Sequence, residues 1–293
     1  MKVDVECAGC LLHRGLWEIA EATDDRSLRF QVTSALFRLL AKEFRSTAVP
    51  AYLGTERDRL IKRMTGNCDP YAEIKQRSNR EALEFLPLAR KLVFNEASSK
   101  LRFRKACLCS IVGNVMEFDI PGHAFKYEDI GRLVQGAEDD LAVDEIAEIF
   151  HAVREARRIL FLTDNAGEIA LDTLLVGELK RLGAHVTVAV KGGPIINDAT
   201  MEDATFVGLD KVADDVITTG TDGVGLMPEQ CSREFLDVYE SVDLVMAKGM
   251  GYVETLTELD LSFPHSLLLR TKCQPVADFL RVERGKNIAM LMA

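Results

Sequence analysis

The chain has 293 residues, a net charge of −10 and 47% hydrophobic residues, a composition typical of a globular protein and not of a disordered, collagenous or membrane chain. This length predicts one large domain or two of ordinary size, with a core large enough for stability without disulfides. The excess of acidic over basic residues, 46 against 36, argues against the basic surface typical of nucleic-acid-binding proteins. An acidic protein that handles an anionic substrate needs a local source of positive charge, either a metal ion or a few placed lysines.

The start of the chain, residues 1–6, mixes charges where the apolar part of a secretion signal would begin, and the apolar runs are strand-sized. We therefore expect a cytoplasmic protein that binds neither membranes nor nucleic acid; the oligomeric state stays open. Seven cysteines, an odd number, favour reduced thiols over a disulfide framework. Cys7 and Cys10 have the spacing of a redox or metal site, which His13 could join, but packing of small residues at a helix start is the favoured explanation.

The first half of the chain has the apolar spacing of amphipathic helices, separated by proline and glycine breakers. We predict helices over residues 10–22, 27–44, 54–65, 70–94 (broken near Pro87), 98–115 and 138–158. No strand pattern precedes residue 156. Residues 1–155 are therefore predicted to form a helical domain.

From residue 156 onward, short apolar strands alternate with helices. The predicted strands are 158–163, 185–190, 216–219, 242–247, 266–269 and 288–292. Buried strands that alternate with helices indicate βαβ units, and hence a mainly parallel sheet covered on both faces. The predicted fold class is α/β, a Rossmann-like three-layer α/β/α sheet domain over residues 156–293 that follows the N-terminal α-helical domain.

Ligands of open α/β sheets bind beyond the carboxyl ends of the strands, and two of these ends carry paired oxygen ligands. Asp164 and Asn165 follow the first predicted strand, and Asn197 and Asp198 lie in the loop after the second. The structural alternative for both pairs is helix capping, since Asp and Asn cap helices well. Two such segments in one domain favour a ligand site over capping.

A third strand end carries Lys248 beside Gly249, and a buried lysine at this position is costly unless an anion meets it. The second strand ends at another lysine, Lys191, followed by two glycines that let the main chain approach a ligand. No GxGxxG sequence occurs, so a dinucleotide fingerprint is not supported.

Together, Asp164, Asn165 and Asp198 form a plausible all-oxygen site for a hard divalent cation, Mg²⁺ or Mn²⁺, with Co²⁺ or Ni²⁺ as further possibilities. We predict hydrolysis of a phosphate ester by metal-activated water, with Lys248 and Lys191 on the phosphoryl oxygens. The alternative within this class is an aspartyl-phosphate on Asp164. The haloacid-dehalogenase pattern would place a second aspartate where Ala166 stands, so attack by water is favoured.

Residues 164–168, 191–200 and 248–254 resemble the domain-of-unknown-function-89 (DUF89) family of metal-dependent damage-control phosphatases. Weaker matches at 7–10, 113–118 and 272–277 extend the resemblance over nearly the whole chain. They place it closest to the compact bacterial and archaeal branch with an N-terminal cysteine pair. One departure is Glu117, where an aspartate is expected after the Gly113-Asn114 pair.

This resemblance implies a helical domain on an α/β/α core, with a divalent metal between them on Asp164, Asn165 and Asp198. It also implies hydrolysis of small phosphate esters, including sugar phosphates and, in a related branch, phosphopantetheine derivatives. A protein carboxyl methyltransferase activity has been proposed for one branch. The expected partner is thus a small phosphorylated metabolite.

The candidate site residues fall into three groups. The candidate metal ligands are Asp164, Asn165 and Asp198. The candidate catalytic residues are Asp164, Lys248 and Glu168, and Glu168 would orient or deprotonate the water. The candidate substrate-binding residues are Lys191, Asn114, Asn197, Thr200 and Gly249.

His123 could enter the site from the helical domain, although a surface position suits it as well. Two alternatives from other classes remain. A SAM-dependent carboxyl methyltransferase would want a glycine-rich first turn, and a non-enzymatic metal or redox module would use Cys7 and Cys10.

Overall fold

The computed structural model describes residues 1–115 and 130–292; Glu117 and His123 lie outside this part of the chain. Its helices, in chain order, are α1 (Glu6–Ala22), α2 (Arg26–Glu43), α3 (Pro50–Thr65), α4 (Ala72–Phe94), α5 (Ser99–Val115), α6 (Ile130–Asp139), α7 (Ile146–Glu155), α8 (Glu168–Arg181), α9 (Met201–Val207), α10 (Arg233–Tyr239), α11 (Met250–Leu256) and α12 (Gln274–Leu280). Its strands are β1 (Leu141–Asp144), β2 (Arg158–Leu162), β3 (His185–Val190), β4 (Asp215–Thr218), β5 (Leu244–Lys248), β6 (His265–Arg270) and β7 (Asn287–Met292). All six predicted strands are present, with ends that differ by one or two residues.

The seven strands form one mixed sheet in the order β1-β7-β6-β5-β2-β3-β4. Strands β2 to β6 run parallel, β7 pairs antiparallel with β6, and β1 pairs parallel with β7. From β2 the chain proceeds outward to β3 and β4, and then returns to β5 on the other side of β2. The order therefore reverses between β2 and β5, which is the place where open α/β sheets bind ligands.

Both faces of the sheet are covered, which confirms the predicted three-layer α/β class. Alternate residues of β2 point to opposite faces, because side chains in a strand alternate with a period of two. Ile159 and Phe161 belong to the apolar core under α5 and α8, whereas Leu160 and Leu162 belong to the core under α11 and α12. Both cores therefore pack against β2, the strand that Asp164 and Asn165 follow.

Two predictions about the first half of the chain were wrong. Residues 138–158 do not form one helix, because β1 separates α6 from α7; this four-residue edge strand is too short to show a period of two. Helix α4 is not broken at Pro87 but continues through it. Pro87 is exposed, so water can replace the one backbone hydrogen bond that proline removes.

Strand β1 thus precedes the predicted boundary between residues 155 and 156. The division of the chain into two domains stays a prediction. Helices α1 to α3 form their own small apolar core around Ile19, Leu36 and Ile61. Across the described ranges, no helix combines the length and apolar character needed to cross a lipid bilayer.

Candidate active site

The predicted site residues converge at the carboxyl ends of the three central strands. Asp164 follows β2, Lys191 follows β3, and Lys248 is the last residue of β5. Because β2 lies between β3 and β5, these positions are adjacent at one edge of the sheet. The site therefore occupies the point where the strand order reverses.

Helix capping does not explain the polar residues that follow β2 and β3. Helix α8 begins after Gly167, whose φ of 79° favours glycine, and no side chain caps it. Helix α9 is capped by Thr200 in a capping box with Asp203, so Asp198 is not the cap. The capping alternative was thus wrong for both segments.

The loops after β2 and β3 are joined directly to each other. Asn165 and Asp198 form an isolated antiparallel bridge, in which the Ala166 N–H donates to the Asn197 carbonyl at 2.9 Å. The Ala199 N–H donates to the Asp164 carbonyl at 2.8 Å. Main-chain hydrogen bonds therefore bring the three predicted metal ligands together.

Two asparagines order the carboxylates at this point. Asn114 of α5 donates through Nδ2 to Asp164 Oδ2 and to Glu168 Oε2, both at 2.8 Å. Asn165 Nδ2 donates to the same two oxygens, at 2.8 and 3.0 Å. These contacts fix the amide of Asn165, because its nitrogen must face the two carboxylates. Within the described part of the chain, Asn165 Oδ1 and Asp164 Oδ1 accept no hydrogen bond.

The site concentrates negative charge. Burial, and then the carboxylates of Glu168 and Asp198, raise the pKa of Asp164 well above its usual range. Burial also raises the pKa of Asp198 to about 6, although Lys191 opposes the shift. Carboxylates crowded in this way lack a positive charge that a divalent cation would supply.

The donor set fits such a cation. Carboxylate and carbonyl oxygens are the ligands that Mg²⁺ and Mn²⁺ prefer. Asp164 and Asp198 offer carboxylate oxygens and Asn165 offers an amide carbonyl oxygen, from two joined loops. Among the described residues, no group of three or more His, Cys, Asp and Glu side chains is placed to hold a metal ion. The predicted site therefore depends on the amide oxygen of Asn165 as its third protein ligand.

Metal binding at this site is expected to strengthen as the pH rises. The pKa of Asp198 is raised to about 6, so a proton occupies the carboxylate below this pH and must leave when a metal binds. Apparent Mn²⁺ affinity should therefore increase between pH 5 and pH 7.5 with release of protons, which calorimetry in buffers of different ionisation enthalpy measures. Affinity independent of pH would contradict the assignment of this carboxylate as a ligand.

Lys248 is fully buried, and its ammonium group contacts protein acceptors only. It pairs with Glu168 Oε1, and donates to Asp172 Oδ1 at 2.9 Å and to the Ser110 carbonyl at 3.1 Å. Burial would lower its pKa, but the two carboxylates raise it, so Lys248 stays charged. The predicted anion is present, but it is a pair of carboxylates, which leaves Lys248 no hydrogen for a phosphate.

Both carboxylate oxygens of Glu168 are likewise bound by other protein groups. Burial is the largest influence and would raise its pKa, but the charge of Lys248 and the hydrogen bonds from Lys248, Asn114 and Asn165 together lower the pKa of Glu168. Both carboxylate oxygens accept hydrogen bonds, from Lys248 on one side and from Asn114 and Asn165 on the other. An ionised, fully hydrogen-bonded carboxylate suits a positioning role better than the predicted deprotonation of water.

Replacement of Lys248 with methionine should destabilise the fold. The variant leaves Glu168 and Asp172 as buried carboxylates without a counter-charge, and breaking a buried ion pair in this way costs about 3–5 kcal/mol. Urea denaturation of the variant measures the loss. The matched control is Lys42→Met, at an exposed ion pair with Glu43, where we expect little change. Equal stability of the two variants would contradict the role given to Lys248.

Lys191 is also occupied by the protein. Its Nζ donates to the Gly225 carbonyl at 2.8 Å, lies 3.6 Å from Asp198 Oδ2, and stands 5.1 Å from the centre of the Tyr252 ring. It therefore acts on Asp198, and its predicted contact with a phosphoryl group stays a prediction. The half-buried Lys272 also lies near the site, and its charge lowers the pKa of Asp164 against burial.

The other predicted substrate-binding residues differ from one another. Thr200 donates its hydroxyl to Asp203, and Gly249 donates its N–H to the Leu268 carbonyl. Asn114 gives its amide hydrogens to carboxylates, as described above. Only the half-buried side chain of Asn197 has no hydrogen bond within the described ranges, so it alone of this set is available to a ligand as it stands.

Sequence reasoning missed three supporting residues. Ser110 donates to Asp172 Oδ1 at 2.6 Å, beneath Lys248. Asp172 lies four residues after Glu168, so both acids share one face of helix α8, a pattern that could have been found. Asp58 of α3 accepts from the Ile196 N–H at 3.1 Å and holds this β-branched residue at a φ of 46°; the sequence carries no signal for this contact.

All seven cysteines are free thiols, as predicted. Cys7 is buried and Cys10 is exposed, and with His13 they do not form a metal-binding group among the described residues. The structure therefore does not support a metal module at this pair.

Comparison with known proteins identifies the family of the chain. Residues 3–288 match the damage-control phosphatase ARMT1-like domain. The chain is 36% identical over 293 residues to a damage-control phosphatase of Archaeoglobus fulgidus, with all of both chains covered, and 35% identical to an uncharacterized protein of Methanocaldococcus jannaschii, with 99% and 95% covered. A crystal structure of a DUF89 family protein from Pyrococcus horikoshii is 36% identical and superposes with a TM-score of 0.89 over 99% of each chain. The chain belongs to the damage-control phosphatase ARMT1-like family.

Proposed function

We propose that this protein is a divalent-metal-dependent phosphatase that hydrolyses small phosphate esters, such as sugar phosphates or related damaged phosphometabolites. The observation that carries the proposal is the meeting of Asp164, Asn165 and Asp198 at the point where the strand order of the sheet reverses. Relatives that are named damage-control phosphatases, and that align over the whole chain, support the same reaction class.

In the proposed mechanism these three residues hold the cation, which can be Mg²⁺, Mn²⁺, Co²⁺ or Ni²⁺. A divalent cation at such a site offsets the charge of the phosphate and makes a water molecule more acidic. Asn114 and Asn165 fix the orientation of the Asp164 carboxylate through their amide hydrogens. Lys191 keeps Asp198 in place and compensates part of its charge.

The residue that we propose faces the substrate is Asn197, whose half-buried side chain makes no hydrogen bond within the described ranges. Lys272 brings positive charge close to Asp164, where phosphoryl oxygens would lie. Lys248 and Glu168 form a buried ion pair. It keeps a fixed, ionised arrangement that needs no reorganisation during the reaction. We thus assign these two residues a positioning role, in place of the direct contacts predicted from the sequence.

The proposal is tested by removal and return of the metal. The enzyme is dialysed against EDTA, and phosphate release from p-nitrophenyl phosphate is measured before and after addition of Mn²⁺. We expect activity to disappear with EDTA and to return with the metal. Calorimetry with SAM tests the methyltransferase alternative, and tight SAM binding without metal-dependent phosphate release would favour it.

A further inference from the structure

Asn79 is a buried residue of α4 that touches both loops of the proposed metal site. It is 2% exposed, and its Oδ1 accepts a hydrogen bond from the Gly167 N–H at 2.7 Å. Its Nδ2 donates to Asp203 Oδ1 at 2.8 Å. Gly167 ends the turn that carries Asp164 and Asn165, so one side of this amide holds the loop after β2.

The other side of the amide holds the loop after β3. Asp203 Oδ2 accepts hydrogen bonds from the Thr200 N–H at 2.9 Å and from the Thr200 hydroxyl at 2.8 Å. Thr200 is two residues beyond Asp198. The chain of contacts from Gly167 through Asn79 and Asp203 to Thr200 therefore spans the gap between the two loops from the helical side.

The chemistry of this position selects asparagine. An acceptor must face the Gly167 N–H, and a donor must face the Asp203 carboxylate. An aspartate at position 79 would turn a carboxylate oxygen toward Asp203, and an apolar residue would leave a buried N–H without a partner. A rotated amide would oppose both neighbours, so only one orientation satisfies the two contacts.

We infer that Asn79 is a positioning residue that sets the separation between the Asp164–Asn165 turn and the Asp198 loop, and thereby the affinity of the site for its cation. This inference rests on the metal site of the proposed function. Partners that orient metal ligands commonly contribute about 10–100-fold to metal affinity.

A polarity exchange tests the inference. Asn79→Asp places two carboxylates face to face, and Asp203→Asn opposes two amide donors or turns its amide nitrogen to the Thr200 N–H. The double variant Asn79→Asp with Asp203→Asn restores the hydrogen bonds, because the new carboxylate accepts from Gly167 and from the new amide, whose oxygen accepts from Thr200. The ion pair of Lys75 with Asp203, at 3.8 Å, is lost equally in Asp203→Asn and in the double variant. The net charge of the pair is unchanged in the double variant. The matched control is Asn95→Asp, at the exposed end of the same helix.

The readouts are the Mn²⁺ dissociation constant by calorimetry, the melting temperature without metal, and kcat and KM for p-nitrophenyl phosphate. We expect each single variant to weaken Mn²⁺ binding by about tenfold or more, and the double variant to recover most of the loss. The control should bind Mn²⁺ like the wild type. A purely structural role would lower the melting temperature and leave the Mn²⁺ dissociation constant unchanged, which would overturn the inference, as would a double variant no better than the single ones.

Hydrogen exchange separates this inference from the proposed function. If the wild-type protein binds none of Mg²⁺, Mn²⁺, Co²⁺ and Ni²⁺, the proposed function fails, and the exchange rates of the Gly167 and Thr200 amides still decide the role of Asn79. Faster exchange at both amides in the single variants, with slow exchange restored in the double variant, supports the positioning role. Unchanged exchange in the single variants overturns it.

Discussion

Replacement of Asp198 with asparagine is expected to abolish most metal-dependent phosphate release while the fold remains intact. Asparagine keeps the volume of the side chain but removes one of the two carboxylates that we propose hold the cation. Loss of a residue that only orients a ligand already costs about 10–100-fold in metal affinity or activity, so loss of the ligand itself should cost at least about a hundredfold. Phosphate release and Mn²⁺ affinity, measured on the same preparation, check both parts of the expectation.

The stability of this variant should change little. Burial raises the pKa of Asp198, which means that its charge is costly in the folded protein without metal. Lys191 keeps its hydrogen bond to the Gly225 carbonyl in the variant. Asp210→Asn, at an exposed position of the same sheet domain, is the matched control. Wild-type turnover in Asp198→Asn would show that this residue is not a metal ligand.

Replacement of Gly249 with alanine is expected to damage both stability and activity. Gly249 has a φ of 87°, and an added Cβ would overlap the carboxylate of Asp164. The backbone strain and the overpacking each cost about 1–3 kcal/mol, so the loss should be about 2–6 kcal/mol. The described role of Gly249 is therefore steric, and its predicted contact with substrate stays a prediction. Because glycine has no side chain, it leaves room for Asp164, a proposed metal ligand.

The matched control is Gly54→Ala in α3, where an added Cβ has no atom within 4 Å. Alanine is favoured over glycine in a helix by about 1 kcal/mol, so this variant should be as stable as the wild type or more stable. Urea denaturation and phosphate release are measured for both variants. A Gly249→Ala protein that equals Gly54→Ala in stability and activity would contradict the described packing around Asp164.

The strands after residue 156 and the proximity of Asp164, Asn165 and Asp198 could be predicted because their signals are local. Each strand of the sheet after residue 156 is a short apolar run, and the polar residues directly follow β2 and β3. Strand β1 has only four residues at the edge of the sheet, and its pairing with β7 depends on contacts far along the chain. Such long-range pairing leaves no pattern in the local sequence.

The roles of the lysines could not be predicted for a related reason. A lysine at a strand end indicates that an anion is near, but the sequence does not say whether the anion is a ligand or the protein itself. For Lys248 the anions are Glu168 and Asp172, both on α8, the helix that follows the neighbouring strand β2. For Lys191 the anion is Asp198. In both cases the helix or loop that supplies the carboxylate is brought there by the tertiary fold.

The contribution of the helical region was also invisible in the sequence. Asp58 and Asn79 each accept a hydrogen bond from a backbone N–H that lies more than 80 residues away in the chain. Neither residue stands in a motif, and buried asparagines or aspartates in helices commonly serve local capping or packing. Their function emerges only when the helices are placed against the two loops.

The most direct test of the proposed function is phosphate release from a panel of phosphometabolites, measured in EDTA and with Mg²⁺, Mn²⁺, Co²⁺ or Ni²⁺ in turn. The geometry of Asp164, Asn165 and Asp198 predicts hydrolysis of one or more small phosphate esters with at least one of these metals, and none in EDTA. Inactivity toward the whole panel with every metal, or equal activity in EDTA, would contradict the assignment of this protein as a metal-dependent phosphatase.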